Sequence, residues 1–188
     1  MTKKTNNEYI SKEIKRLLNK RSHKLMDCLH KISNFIVMYA KNNNIGNIVI
    51  GYNKGWKNKT SMGKTNNRRF YEVPFRRLVS MIFYKGFDNG INVNEIKESY
   101  TSKTDSLALE EIKHHDKYKG TRTYRGLFIS STGNKLNADV NGSLNIMRKY
   151  SYKYKLKVDF KNLFKKHLKK YLSPIKINMK SLSHYKEL

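Results

Sequence analysis

One cysteine, two prolines, one tryptophan and only 14 acidic residues in a chain of 188 set the first limits on what this sequence can be. With Cys28 alone, neither an internal disulfide framework nor a multi-cysteine zinc ribbon can form within one chain. Cys28 falls on the apolar side of a predicted helix, where a thiol reads as a small buried group. No apolar run approaches the roughly 18 to 20 residues of a spanning helix, which argues against a membrane partner. The start, with Lys3 and Lys4 followed by polar residues, lacks the apolar core of a signal peptide, so a cytoplasmic protein is expected. Proline and glycine are too sparse for a long disordered linker, and the length suits one domain with a modest core and a basic tail.

Against the few acids stand 40 Lys and Arg, a formal net charge of +26. Such a surface attracts phosphate backbones with steep salt dependence. A Lys- and Asn-rich coding bias can contribute to it, so charge favours a nucleic-acid partner without fixing one.

Ile10, Ile14, Leu17, Leu18, Leu25, Leu29, Ile32, Ile36 and Tyr39 recur at helical steps, which predicts one long amphipathic helix from about Asn7 to Asn42. Its other face carries Arg16 and Arg21 among lysines, either tracking a phosphate backbone or simply solvated. After the turn-forming Asn42-Asn43-Asn44, the β-branched run Asn47 to Tyr52 reads as a buried strand. A Lys-, Asn- and Gly-rich loop from Asn53 to Arg69 follows, with Trp56, Lys57, Arg68 and Arg69. Trp56 either stacks on bases while the cations hold phosphates, or folds back onto the domain. Pro74 suits a first helical residue, and Phe75, Leu78, Val79, Ile82 and Phe83 give a second apolar face that stops at Asn89-Gly90. Ile91, Val93 and Glu95-Ile96 continue as a second strand, so strand, helix and strand imply an α/β domain with a parallel pair. Glu98 then falls at the C-terminal end of that strand, where open α/β sheets place ligand sites. From Asp105 to Lys119 the chain is charged and irregular; Thr121 to Ile129 and Lys135 to Ala138 read as a hairpin, and Asp139 opens a short helix through Tyr150. A Lys-rich helix is predicted over Lys155 to Leu172, with Leu156, Phe160, Leu163, Phe164 and Leu168 on one side and a loosely held end after Pro174.

The pieces Ile48 to Tyr52 with Asn53 and Trp56, Asn67 to Pro74, Tyr84-Lys85, Glu98 to Lys103, Tyr124 to Leu127 and Asn137 to Ile146 occur in an order and spacing that resembles the C-terminal part of the TnpB (OrfB) family. These are insertion-sequence proteins with a RuvC-like nuclease domain, relatives of type V CRISPR effectors. The resemblance implies an α/β, RNase H-like (RuvC-like) domain, incomplete here, with a long N-terminal helix and a basic C-terminal helix. It divides the chain into a partial nuclease domain over 1–150 and a basic helical tail over 151–188. The implied activity is RNA-guided, metal-dependent cutting of DNA, with DNA and a guide RNA as partners.

The chemistry asks for carboxylates from separate strands and a helix start, because two Mg²⁺ ions about 4 Å apart need hard oxygen ligands. Asp139 matches the family's last catalytic aspartate; without the motif its default role is a helix N-cap. In most of the family a glutamate ends the first of the two strands, where this chain has Gly51. Glu98, one strand over, is the substitute, the alternative being a surface glutamate beside Lys97. Ser102 and Lys103 are expected to contact a substrate phosphate, and Arg122 and Arg125 to lie near the nucleic acid in a cysteine-free replacement of the zinc ribbon over 104–129. His114-His115 lacks ligand spacing, so no zinc is expected. The family's first aspartate lies on a strand before the long helix, and nothing before Asn7 supplies it. The expectation is an N-terminally truncated form that binds nucleic acid and is inactive alone. The alternatives are half of a split endonuclease completed by a partner chain, or a stand-alone basic DNA- or RNA-binding module.

Overall fold

The computed structural model describes residues 11–53, 74–124, 126–172, 177, 178 and 182. Helix α1 (Lys12–Asn42) is followed by strand β1 (Asn47–Tyr52), helix α2 (Phe75–Asp88) and strand β2 (Asn92–Lys97). β1 and β2 pair in parallel, with Asn47 opposite Asn92 and Gly51 opposite Ile96. Ile48 and Ile50 turn to one face of this pair and pack with Val37 and Ala40 of α1 and Ile82 of α2. The alternate residues of β1 face the other way, as the period of a strand requires.

The buried face of α1 is Leu29, Ser33, Val37 and Ala40, and it begins only in the second half of the helix. Ile14, Leu17 and Leu18, expected on a core stripe, are exposed. Helical period specifies that a face exists, not how much of its length finds a partner. Ser33 is buried because Lys85 of α2 donates to its Oγ (2.9 Å) and to the His30 carbonyl (2.8 Å), joining the two helices. Burial pushes the Lys85 ammonium below its ordinary value. In α2, Pro74 stands one residue before the helix, and Phe83 is exposed while Met81 and Gly86 are buried.

Three short strands follow, β3 (Thr121–Tyr124), β4 (Leu127–Ile129) and β5 (Lys135–Asn137), in an antiparallel meander. The single strand expected over Thr121 to Ile129 is thus two. Gly126, at φ +90°, adopts a backbone that side-chain-bearing residues rarely take, which permits the reversal. Helix α3 (Ala138–Lys153) starts directly from β5 and runs longer than expected. Helix α4 (Phe160–Leu172) begins five residues later than the sequence suggests. Lys155, at φ 52°, breaks the path, and Asp159 Oδ1 accepts from Asn162 N (3.1 Å) to open the new helix. Phe128, Leu136, Ala138, Leu144, Phe160 and Phe164 form the second core, so α4 packs its apolar face here and leaves Leu156 exposed. α3 joins the two parts, with Leu144 in the meander core and Ile146 against the end of β1.

Candidate functional site

Glu98 follows β2 directly, and its N–H donates to the Tyr52 carbonyl (3.1 Å), extending the parallel ladder by one bond. Thr101 Oγ1 donates to the Glu98 carbonyl (3.0 Å), fixing the chain on the other side. Alternation along the strand puts Glu98 on the same face as buried Ile96, so its side chain is half-buried rather than splayed into water. Burial pushes its carboxyl above the ordinary value. Among the described residues no hydrogen bond or ion pair reaches that carboxylate. It lines one cavity with Gly51, Tyr52, Asn53, Phe75, Arg76 and Glu95, and another with Gly51, Ser143 and Ile146.

Asp139 is the second residue of α3 and is exposed. The capping role belongs to Asn137, whose Oδ1 accepts from Asp139 N (2.8 Å) and Val140 N (3.4 Å). The Asp139 carboxylate is therefore relieved of the N-cap function that its place in the sequence suggests. Ser143, one turn further, donates to the Asp139 carbonyl (2.9 Å) and lines the cavity that holds Glu98. One helical turn, about 5.4 Å of rise, thus separates Asp139 from that cavity wall.

Cations lie near Glu98. Arg76 stacks over the Tyr52 ring (5.1 Å to its centroid) and pairs with Glu95. Lys149 of α3 donates to the Ser99 carbonyl (3.2 Å), and burial, with Lys97 nearby, holds its ammonium below the ordinary range. Ser102, Lys103 and Arg122 do come together, in a cleft shared with Lys117, Tyr118 and Thr121. Arg16 and Arg21 do not join them. They stand on the exposed half of α1, Arg16 about 20 Å along the helix from Leu29 at 1.5 Å per residue, and paired with Glu13 (2.7 Å). Trp56, Lys57, Arg68, Arg69 and Arg125 lie outside the described residues. Cys28 is half-buried on α1. His115 Nε2 contacts the Glu111 carbonyl (2.8 Å), and His114 meets the Tyr100 ring edge-on.

The sequence reading missed the buried polar network that ties the loop after Glu98 to α3. Asn141, Asn145 and Arg148 lie at helical spacing on one face and are fully buried. Asn141 Nδ2 donates to the Thr104 carbonyl (2.9 Å), and Asn145 Nδ2 to those of Thr101 (2.9 Å) and Thr104 (2.7 Å). Arg148 donates to Asn145 Oδ1 (2.7 Å) and the Glu110 carbonyl (2.7 Å). Below them, Asp105 accepts from the hydroxyls of Ser130 (2.8 Å) and Ser131 (2.9 Å) and from Ser131 N (2.7 Å), while Glu110 accepts from Asp105 N (2.7 Å) and Lys119 N (2.8 Å). The signal for these residues is present as Asn141, Asn145 and Arg148 in a three-to-four-residue step, but amides and guanidinium read as surface.

The Glu98 and Asp139 carboxylates have no protein partner for their oxygens among the described residues, and hard oxygen donors of this kind suit a divalent cation such as Mg²⁺. Among the described residues, no three His, Cys, Asp or Glu side chains gather as a metal-holding group. Also among those residues, no helix is long and apolar enough to cross a membrane.

Comparison with known proteins agrees with this architecture. Residues 1–57 match the family model described as "Probable transposase" (OrfB of IS605), and residues 75–146 match the "Cas12f1-like, TNB domain" model. The two matches are separate and together take in well over half of the chain. A TnpB-like protein, ORF457 of Acidianus two-tailed virus, is 26% identical over 140 residues, covering 73% of this chain. The chain spans 28% of that protein's length. A cryo-EM structure of a Cas12f1–sgRNA–target DNA complex superposes with a TM-score of 0.54 at 20% identity, over 72% of this chain and 36% of that one. Two family models that each match less than half of the chain, a viral TnpB-like relative and a Cas12f1-like fold agree in pointing to a partial chain of the TnpB (OrfB) family with an α/β fold.

Proposed function

We propose that this chain binds nucleic acid and contributes Glu98 and Asp139 as Mg²⁺ ligands of a RuvC-like site for phosphodiester hydrolysis. The observation that carries the reading is the division of labour at the start of α3: Asn137 caps the helix and leaves the Asp139 carboxylate available one turn from the cavity that holds Glu98. When bound, Mg²⁺ supplies activation of a water and stabilisation of the leaving oxygen. Glu98, half-buried and unpaired among the described residues, offers its carboxylate from the end of β2, and Asp139 offers its own from the first turn of α3. Ser102, Lys103 and Arg122 hold substrate phosphates in their shared cleft, while Lys97 and Lys149 draw the polyanion to the rim. The loop over 101–110 is held by hydrogen bonds to α3, and zinc has no part in it.

The family's pattern calls for three carboxylates, and two are assigned here, so the 188 residues bind better than they cut. A further segment or partner chain carrying the third completes the site. Its place is the outer edge of β1, which has no strand partner among the described residues. DNA is the proposed substrate, and a guide RNA the proposed second partner, by analogy with the Cas12f1 complex.

The test is cleavage of labelled single- and double-stranded DNA with Mg²⁺ or Mn²⁺, beside Asp139→Asn and a salt series for binding. Both proteins are expected to bind alike and salt-dependently, and any cutting is expected only from the unsubstituted chain. Cutting that survives Asp139→Asn, or binding indifferent to salt, overturns the reading.

A further inference from the structure

The residue against which the candidate glutamate's carboxylate lies is a glycine, and its backbone does not explain why. Its φ lies outside the left-handed region, in a strand conformation that any residue adopts. The reason is spatial. A Cβ added to Gly51 would stand 2.6 Å from Glu98 Oε2 and 2.5 Å from Ile146 Cδ1. Gly51 pairs with Ile96, and residues registered across a parallel pair share a face, so Glu98, two residues beyond Ile96, returns to the face of Gly51. The carboxylate thus lies over the bare glycine with Ile146 of α3 as its lid, and Tyr52, Phe75, Arg76 and Glu95 line the adjoining cavity.

We propose that Gly51 is a positioning residue: the missing side chain at the end of β1 is the seat of the Glu98 carboxylate, so that β1 and β2 deliver one carboxylate between them to this rim. The proposal rests on the metal-ligand reading of Glu98. A side chain at 51 and the present pose of Glu98 exclude each other, since a methyl carbon, which cannot hydrogen-bond as an N–H or O–H does, does not approach an oxygen to 2.6 Å. Both atoms that a new Cβ would strike are the mobile ends of side chains. Gly51→Ala is therefore tolerated by the fold and displaces the carboxylate. The ionisable and charged neighbours lining that cavity are Arg76 of α2, Glu95 of β2 and Tyr52 of β1, with Ser143 and Ile146 contributed by α3 uncharged.

The experiment compares the unsubstituted chain, Gly51→Ala and the double variant Gly51→Ala/Ile146→Val by two readouts: the NMR titration of the Glu98 carboxyl and the affinity for Mn²⁺. In Gly51→Ala the titration is expected to fall back to that of an ordinary glutamate, and Mn²⁺ affinity to drop roughly ten- to a hundredfold, as for a lost orienting contact. A Gly51→Ala protein that titrates and binds Mn²⁺ like the unsubstituted chain overturns the proposal. If Gly51→Ala does not fold, the double variant decides by the same readouts, because valine lacks the Cδ1 that the added methyl would meet. If the unsubstituted chain binds no Mn²⁺, the metal reading of Glu98 falls, and the seat is decided by whether Gly51→Ala shifts the NMR signal of the Glu98 carboxyl carbon.

Discussion

At the residue scale the clearest signatures are carboxyl and amide groups whose roles are exchanged relative to expectation. Asn137 does the capping for which Asp139 is the sequence's candidate, and Glu98 occupies space that a side chain at 51 would fill. Glu98 also makes a sign-definite prediction. Its folded-state titration is raised, so below the carboxylate range it is protonated in both states and burial costs nothing. As pH rises through the folded value, the charged form bears the desolvation and stability is lost. Glu98→Gln is therefore expected to raise the thermal midpoint at neutral pH without metal and to leave it unchanged in acid; a variant less stable at neutral pH would show the carboxylate to be favourably bonded. Lys155 gives a second case. α3 ends in a Schellman motif, with Leu156 N bonded to Ser151 O (2.9 Å) and Lys155 N to Tyr152 O (3.3 Å), and Lys155 takes the left-handed position. Lys155→Gly is expected to stabilise the chain by about 1 kcal/mol, measured by urea denaturation, because glycine removes the Cβ penalty there.

At the element scale, how much is legible depends on which physical signal each segment carries. β1, α2 and β2 are legible because β-branched runs and a helical stripe are bounded by Asn42 to Asn44 and Asn89-Gly90. Those boundaries are real: Asn44 and Gly90 take the left-handed positions that end α1 and α2. Lys155 plays the same part after α3 without the residue type that announces it, so the sequence there reads as helix straight from Lys155. The split of β3 from β4 is hidden likewise, because the single glycine at 126 is the only break in an otherwise strand-like run. Glu98 and Asp139 are singled out as candidates by motif spacing, whereas the buried Asn141–Asn145–Arg148 face is not legible, since burial of polar side chains depends on partners distant in the chain. That face is what fixes the 101–110 loop on α3. Asn145→Ala leaves two buried carbonyls and a guanidinium N–H without this partner and is expected to cost about 3 kcal/mol in urea denaturation. A loss below about 1 kcal/mol would mean that the loop is held by other contacts.

At the scale of the whole molecule, charge dominates. A formal charge of +26 and an exposed α1 half bearing Arg16 and Arg21 make a broad cationic surface. Affinity for DNA is expected to fall with salt at a log–log slope of magnitude about 4 or more, each neutralised phosphate contributing about 0.9. Asp139→Asn should leave that slope unchanged, as one carboxylate at the rim does not alter the number of phosphates held. The most direct measurement of the central claim is an EPR titration of Mn²⁺ with the unsubstituted chain, Glu98→Gln and Asp139→Asn. The account predicts one shared site, weakened at least about tenfold by either substitution. Equal Mn²⁺ affinity in all three proteins, or no binding by any, would contradict it.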